Sequence, residues 1–382
     1  MLINDVAYLD YNGSSPIDPR VINVVRESTA TFGNAAAAHL HGRMQAELLE
    51  GAREHVAHLA GFRPNDVIFT AGATEANNLA LKGLLEALTP ERNKILISAV
   101  EHASITETAK WIASKGLATI EVIPAEAGGY ISLLALSEML DHNVGVVSVM
   151  AANSETGVLN PVTEISDLVK ERGAIFHCDA TQYCGRLPVL AGPDLLSLSS
   201  HKICGPGGVG ALIANRSVRK KMSPLLHGGG HEQGLRSGSS NVIGAIGFGE
   251  AARIAEAEGL DDMGRVEPLR DGLAKKLLNA IPNSTQIGDV TKRLPNTLSI
   301  RFKDTDAQAT MHNSQNVSMS LGSACSSGAI EPSSVLTAMG LDNDAAFEVL
   351  RLSLGRFTTE ADIDIAVSSI VSSVKYVRSV SG

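Results

Sequence analysis

The stretch SLGSACSSG (320–328) sets Cys325 among small residues, where its thiol has no bulky neighbour in sequence. An accessible thiolate is a nucleophile, whereas a packed cysteine is only a small hydrophobe. Lys202 stands in LLSLSSHKICGPGGVGALIAN (195–215), after an apolar run and before a glycine-rich turn. Held in a dry pocket, a lysine amine can form a Schiff base with an aldehyde. Asp179 ends a second apolar run, AIFHCD (174–179), and a carboxylate there needs a partner, either a salt bridge or a cationic ring nitrogen. After DVIFT (66–70) comes AGATEANN, whose small residues let backbone N–H groups approach a phosphate at a helix start. Thr74 adds a hydroxyl, and the absence of a following Gly-Lys-Ser/Thr excludes a nucleoside-triphosphate loop. An aldehyde for Lys202, a ring nitrogen for Asp179 and a phosphate for residues 72–74 are the parts of pyridoxal phosphate. Each feature is weak alone; their order at successive strand ends is specific.

Apolar runs at DVIFT (66–70), KILIS (94–98), TIEVIP (119–124), VGVVSVM (144–150), AIFHCD (174–179), LLSLSS (195–200) and GALIAN (210–215) read as strands, most of them buried on both faces. Helical segments lie between them. Residues 41–60 put Met44, Leu48, Ala52 and Val56 on one helix face, and a helix from Pro161 to Gly173 carries Ile165, Leu168 and Val169. The alternation predicts an α/β fold with a largely parallel sheet, whose ligands bind beyond the carboxyl ends of the strands. Glu101-His102, Asn153 and Gln182 also come after such runs. Beyond about residue 255 the pattern changes: an amphipathic helix near 264–280, the strand NTLSIRF (296–302), the Cys325 stretch, the strand VLRLSL (349–354) and a last helix from about 359. The expected domains are a large one over 15–255 and a smaller α+β one built from 1–14 and 256–382.

The 382 residues suit such a pair of domains. A net charge of -9 argues against direct gripping of nucleic acid. Four cysteines make neither a disulfide framework nor a CxxC zinc site, so reduced thiols in a cytoplasm and no metal are expected. No apolar run is long enough to span a bilayer.

In motif order the chain resembles the cysteine desulfurase family, the NifS/IscS-like branch of the fold-type-I pyridoxal phosphate enzymes. YLDYNGSSPIDPRV (8–21), FTAGATEANNLALKG, FHCDATQ, SSHKICGPGG, GGGHEQGLRSGS, GSACSSG and LRLSLGRFTTEADID (350–364) carry the likeness over almost the whole chain. The resemblance implies roles. Lys202 would hold the cofactor, His102 would stack on its ring and move protons, Asp179 would pair with the ring nitrogen, and Gln182 would bond the ring hydroxyl. Ala73, Thr74, Ser199 and His201 would hold the phosphate, joined from a second subunit by Ser239, where the family usually has threonine. Asn153 would contact cofactor and substrate, and Arg351 and Asn34 would meet the substrate carboxylate, Arg351 by a two-pronged grip. Cys325 would take sulfur from L-cysteine as a persulfide, leaving L-alanine. A homodimer and a sulfur-acceptor protein are implied, serving iron–sulfur cluster assembly or nucleic-acid thiolation; the GSACSSGAIEPSSVL stretch resembles the DNA-phosphorothioation type. A selenocysteine lyase, an aminotransferase or a non-catalytic partner protein is the alternative. This chain reads FGNAAAA where the family usually reads FGNPSS, GPGG for GPKG, and Cys204 for tyrosine.

Overall fold

The structure, a computed structural model, describes residues 6–322 and 331–381; Cys325 lies outside the described residues. After a short strand β1 (Ala7–Tyr8), seven strands build the large sheet: β2 (Val67–Thr70), β3 (Lys94–Ser98), β4 (Thr119–Ile123), β5 (Val144–Ser148), β6 (Ile175–Asp179), β7 (Leu195–Ser199) and β8 (Gly210–Ala214). Their order is β2-β8-β7-β6-β5-β3-β4. Neighbours from β7 to β4 pair in parallel, while β8 is antiparallel to both β7 and β2. With β8 alone reversed, the carboxyl ends of β2, β3, β5, β6 and β7 share one edge of the sheet. That edge gathers the segments whose residue types suggested chemistry.

Alternation within the strands explains the layers. Val67 and Phe69 face a core shared with Leu49, Val56 and Phe248, whereas Ile68 faces a second core with Leu79, Ile105 and Ile112. Helices therefore cover both faces, and the central strands bury both of theirs. In the helix Leu40–Ala60 the expected stripe is half right. Ala52 and Val56 are buried, but Met44 and Leu48 are exposed; Leu49 and Arg53 turn inward instead. Arg53 can do so because Glu232 bonds its guanidinium at 2.8 and 3.0 Å.

The second sheet comprises β9 (Ser284–Gln286), β10 (Thr297–Phe302), β12 (Ser320–Leu321) and β13 (Val349–Ser353) in the order β12-β13-β10-β9, all antiparallel, while β1 pairs in parallel with β11 (Val317–Ser318). Leu298, Ile300, Phe302, Leu350 and Leu352 pack there on Ile363, Ile370 and Val374 of the helix Glu360–Ser381. The helix expected near 264–280 is the end of a much longer one, Val242–Ala280, which runs unbroken through residue 255 for 39 residues, about 58 Å. Ala245, Phe248 and Ala252 belong to the core of the large sheet, and Val266, Leu273 and Leu277 to that of the small one. The join passes through Gly259, where a Cβ would come within 2.2 Å of the Gly185 carbonyl. Only a glycine lets the helix cross there. Among the described residues no helix is long and apolar enough to cross a membrane.

Candidate active site

Lys202 ends a single 3-10 turn, Ser200–Lys202, directly beyond β7. Its Nζ donates to the carbonyls of Asn12 and Gly13, both at 2.6 Å. Burial, reinforced by the positive charges of Arg186 and Arg351, lowers its pKa to about 8. The amine is thus far closer to neutral at physiological pH than an ordinary lysine, as a carbonyl-attacking group needs. Arg186 is buried and meets no carboxylate among the described residues. It donates to Asn12 Oδ1 at 3.1 Å, Gln182 Oε1 at 2.6 Å and the Lys202 carbonyl at 3.2 Å. Gln182 Nε2 donates to the Asn12 carbonyl at 2.9 Å. Asn12 is therefore the hub that ties the amino-terminal strap to Lys202, Gln182 and Arg186.

Asp179 closes β6 and is 5% exposed. Its Oδ2 accepts from Asn77 Nδ2 at 2.8 Å and its Oδ1 from the Thr181 N–H at 3.0 Å. Amide donors, not a cation, hold it, so the salt bridge offered as one explanation is not its partner. The second hydrogen of Asn77 Nδ2 goes to Ser104 Oγ at 2.8 Å, and Ser104 Oγ lies 2.8 Å from His102 Nδ1. One chain of bonds thus links Asp179 to His102. His102 caps the helix Ala103–Ser114 through Nδ1, which accepts from the Ser104 N–H at 3.1 Å, and its ring is exposed. With Nδ1 accepting that bond, Nε2 is the ring nitrogen left to face outward partners.

Two buried groups lie close to Asp179: Glu101, which sequence reading noted after an apolar run without giving it a role, and His177, which it passed over. His177, one pleat earlier on β6, lies 2.9 Å from both Ser148 Oγ and Ser197 Oγ, and burial depresses it to about 4. Glu101 Oε1 accepts from Ser98 Oγ and the Met150 N–H, both at 2.7 Å, while its buried Oε2 has no partner. Burial, then the neighbouring Asp179, raises Glu101 to about 8 despite those bonds. At pH 7 His177 is therefore neutral and Glu101 mostly protonated.

The loop after β2 carries the anion-binding geometry. Gly72 adopts φ 154°, ψ -179°, a region reserved for glycine, and offers no side-chain cap to the helix Ala73–Gly83. Its first-turn N–H groups, at Ala73 and exposed Thr74, stay open to a ligand. A Cβ on Gly72 would lie 3.9 Å from Ser199 Oγ, which is itself 2.9 Å from His201 Nδ1. The resemblance groups these residues, and they are adjacent. Burial lowers His201 to about 4, so it presents a neutral ring.

Asn153 and Arg351 are placed differently from each other. Asn153 is 1% exposed and spends its amide inside the protein: Nδ2 donates to the Val100 carbonyl, and Oδ1 accepts from the N–H groups of Glu155 and Thr156 and from Thr156 Oγ1. It knits the loop beyond β5. Arg351 lies on β13, flanked by β12 and β10, and is not a solvated edge charge. Its Nη1 donates to the Ser154 carbonyl at 3.1 Å and Nη2 to Asp10 Oδ1 at 2.6 Å. Ser320 of β12 is its register partner, so the chain enters β12 beside Arg351 and runs on past Leu350 and Val349 toward the undescribed stretch that contains Cys325. The chain is described again from residue 331, where Ser333 donates to half-buried Glu155. Burial pushes Glu155 up to about 7, with the Ser333 bond and Arg351 opposing.

Asn34 and Ser239 are both exposed. Asn34 Oδ1 accepts from the Ala36 N–H, and Ser239 lies three residues beyond Arg236, which pairs with Glu75 of the phosphate-loop helix at 3.0 Å. Within the single chain neither residue is brought to Lys202 or Arg351 by a hydrogen bond among the described residues. His39 and His41 do structural work, as the cap of the helix Leu40–Ala60 and as a ring stacked on Phe32. Asp10, Asn12, Asn77 and Arg186, which complete the site, carried no signal beyond their presence in apolar or turn-like segments.

A pyridoxal phosphate fits this donor set: a partly neutral lysine amine, a carboxylate with no cation of its own, and an uncapped helix start flanked by a hydroxyl and an imidazole. Comparison with known proteins agrees. The family model "Aminotransferase class-V" matches residues 7–365. A cysteine desulfurase of Frankia sp. (strain EuIK1) is 41% identical over 387 residues, covering 98% of this chain and 92% of that one. Cysteine desulfurase IscS of Anaeromyxobacter sp. (strain Fw109-5) is 38% identical over 379 residues, with 98% and 94% covered. Among solved structures, a NifS-like protein superposes with a TM-score of 0.90 at 31% identity, covering 97% of this chain and all of its own. DndA from Streptomyces lividans gives 0.77 at 34%, with 89% and 97% covered.

Proposed function

The chain belongs to the aminotransferase class-V family, and from that premise we propose that it is a pyridoxal-phosphate-dependent cysteine desulfurase, converting L-cysteine to L-alanine and retaining the sulfur on Cys325. One observation carries the reading beyond the family. The strand β12, which leads into the segment that bears Cys325, begins beside Arg351, with Lys202 held across the Asn12–Gly13 strap. A carboxylate-binding arginine, a cofactor lysine and a strand leading into the Cys325 segment would therefore serve one reaction, and an aminotransferase has no use for the thiol.

When bound, the cofactor supplies an aldehyde for the lysine and a ring that accepts the electron pair released at the substrate α-carbon. Lys202 would hold it and, once free, take the α-proton; its lowered pKa suits both tasks. Asp179 would hold the ring nitrogen in its protonated form, and neutral Glu101 and His177 keep competing charge away from that pair. Gln182 would bond the ring hydroxyl, while Ala73, Thr74, Ser199 and His201 would take the phosphate. His102, with an exposed ring fixed through Ser104, would stack on the cofactor and carry a proton between the two thiols. Arg351 would bind the substrate carboxylate, and Asn153 would fix the loop through which Ser154 holds Arg351. The Cys325 thiolate attacks the substrate sulfur. The new S–S bond forms as the C–S bond breaks, and the substrate carbon keeps the electron pair and takes a proton to become alanine.

The reading extends to a homodimer, in which Ser239 and Asn34, exposed here, would serve sites shared between subunits. It includes a large domain at 15–255 and a small one from 1–14 and 256–382. The persulfide would pass to an acceptor protein in the cytoplasm, for iron–sulfur assembly or for the DNA-phosphorothioation type of pathway that residues 322–336 resemble. The acidic charge of -9 favours a protein acceptor over nucleic acid. The test is product analysis: purified enzyme with L-cysteine and a thiol reductant should yield alanine and sulfide in equal amounts without a keto acid. Amino transfer that requires a keto acid, or release of alanine only from selenocysteine, would overturn the reading.

A further inference from the structure

Arg351 is already engaged. Asp10 Oδ1 takes its Nη2 at 2.6 Å and also accepts Ser320 Oγ at 2.9 Å. The other oxygen of Asp10 packs on Gly13, where an added Cβ would lie 2.3 Å from Oδ2. The Gly13 carbonyl in turn holds Lys202 Nζ at 2.6 Å. One carboxylate thus borders the lysine strap, the arginine and β12. It has the same chemistry as the group that Arg351 is read to bind. The side chain of Asp10 is 24% exposed and that of Arg351 11%, so the pair is partly open to solvent.

We propose that Asp10 is a positioning residue that competes with the substrate carboxylate for Arg351. With no substrate it neutralises and aims the guanidinium. When a carboxylate arrives, Asp10 yields Nη2 and keeps Ser320 as its remaining partner, so Ser320 lowers the cost of release. This rests on the reading of Arg351 as the carboxylate site. The arrangement disfavours ligands without a carboxylate, because they cannot replace the pair they disturb. Asp10 therefore sets both the affinity for the amino acid and the selectivity against its amide.

The test uses the cofactor-loaded enzyme and propionate, a carboxylate with neither amine nor thiol. Its affinity is measured by calorimetry and as competitive inhibition against L-cysteine, with thermal melting as a check on folding. Asp10→Asn removes the competing charge and should tighten propionate up to about fivefold, the worth of one partly exposed ion pair. Ser320→Ala removes the fallback partner and should weaken it. These opposite signs are the signature, since loss of mere structural support would weaken binding in both variants. Asp10→Asn with unchanged or weaker binding overturns the proposal, as does Ser320→Ala with unchanged or tighter binding. If Asp10→Asn does not fold, Asp10→Ala takes its place, with tighter propionate binding expected and unchanged or weaker binding overturning the proposal. Should wild-type enzyme make alanine from cysteine but bind propionate without competition, the proposal falls while the desulfurase reading stands. Absence of alanine altogether would strike the reading itself.

Discussion

Glu101→Gln is expected to stabilise the protein at neutral pH and to change how its stability depends on pH. Glu101 is 4% exposed, and its Oε2 has no partner. Desolvation lifts its pKa from the ordinary 4.5 to about 8. Between those values the folded state binds a proton that the unfolded chain has released, so stability falls as pH rises from 4.5 to 8 and is flat on either side. Each pH unit in this window costs about 1.4 kcal/mol, so by pH 7 the native protein carries a penalty of about 3 kcal/mol. Glutamine is isosteric and never ionises. Its carbonyl can still accept from Ser98 and the Met150 N–H, and its amide replaces a protonated oxygen that had no acceptor either. The variant should match wild type near pH 4.5 and gain up to about 3 kcal/mol by pH 7. Urea unfolding monitored by circular dichroism at fixed protein concentration, at several pH values from 5 to 8, reads this directly. A variant less stable at pH 7, or one whose offset from wild type is constant with pH, would refute the claim that Glu101 is neutral under Asp179.

The geometry around Lys202 and the phosphate loop yields two further outcomes. Capture of pyridoxal phosphate by cofactor-free protein should quicken with pH and level off near 8, the pKa of Lys202, because only the neutral amine attacks an aldehyde; Arg186→Met should move that plateau upward, as stopped-flow absorbance would show. Gly210→Ala would drive a Cβ to 2.5 Å from the Leu198 carbonyl and 2.7 Å from Gly72 Cα. Backbone on both sides cannot yield, so the variant should lose about 1–3 kcal/mol of stability and bind the cofactor more weakly, read by thermal melting and cofactor titration.

The strands were legible because most are short runs buried on both faces, edge strand β4 excepted: KILIS coincides with β3, and AIFHCD and LLSLSS each overrun their strand by one residue. Lys202, Asp179 and the 72–74 loop were legible for a related reason. They sit at or just past the ends of such runs, and the reversed β8 leaves those ends on one edge. The long helix was missed where its apolar face changes core. Around Gly259 it leaves one sheet for the other, and the polar residues there break the periodicity. Met44 and Leu48 misled because periodicity marks a helix face without saying what covers it. The hidden half of the site belongs to residues whose partners are distant in sequence. Asn12 meets Lys202, 190 residues away, and Asp10 meets Arg351, 341 away, from a turn with no local signature. Glu101 and His177 look like ordinary strand or loop residues until burial makes them neutral.

Trapping the sulfur is the most direct test of the covalent role of Cys325. Wild-type enzyme given L-cysteine, then alkylated without reductant and digested, should show one added sulfur atom on the Cys325 peptide by mass spectrometry. Cys325→Ala should keep the cofactor's absorbance and its response to L-cysteine, yet form no persulfide and release no sulfide. Full sulfide release by Cys325→Ala, or the added sulfur on Cys178, Cys184 or Cys204 of the wild-type protein, would contradict it.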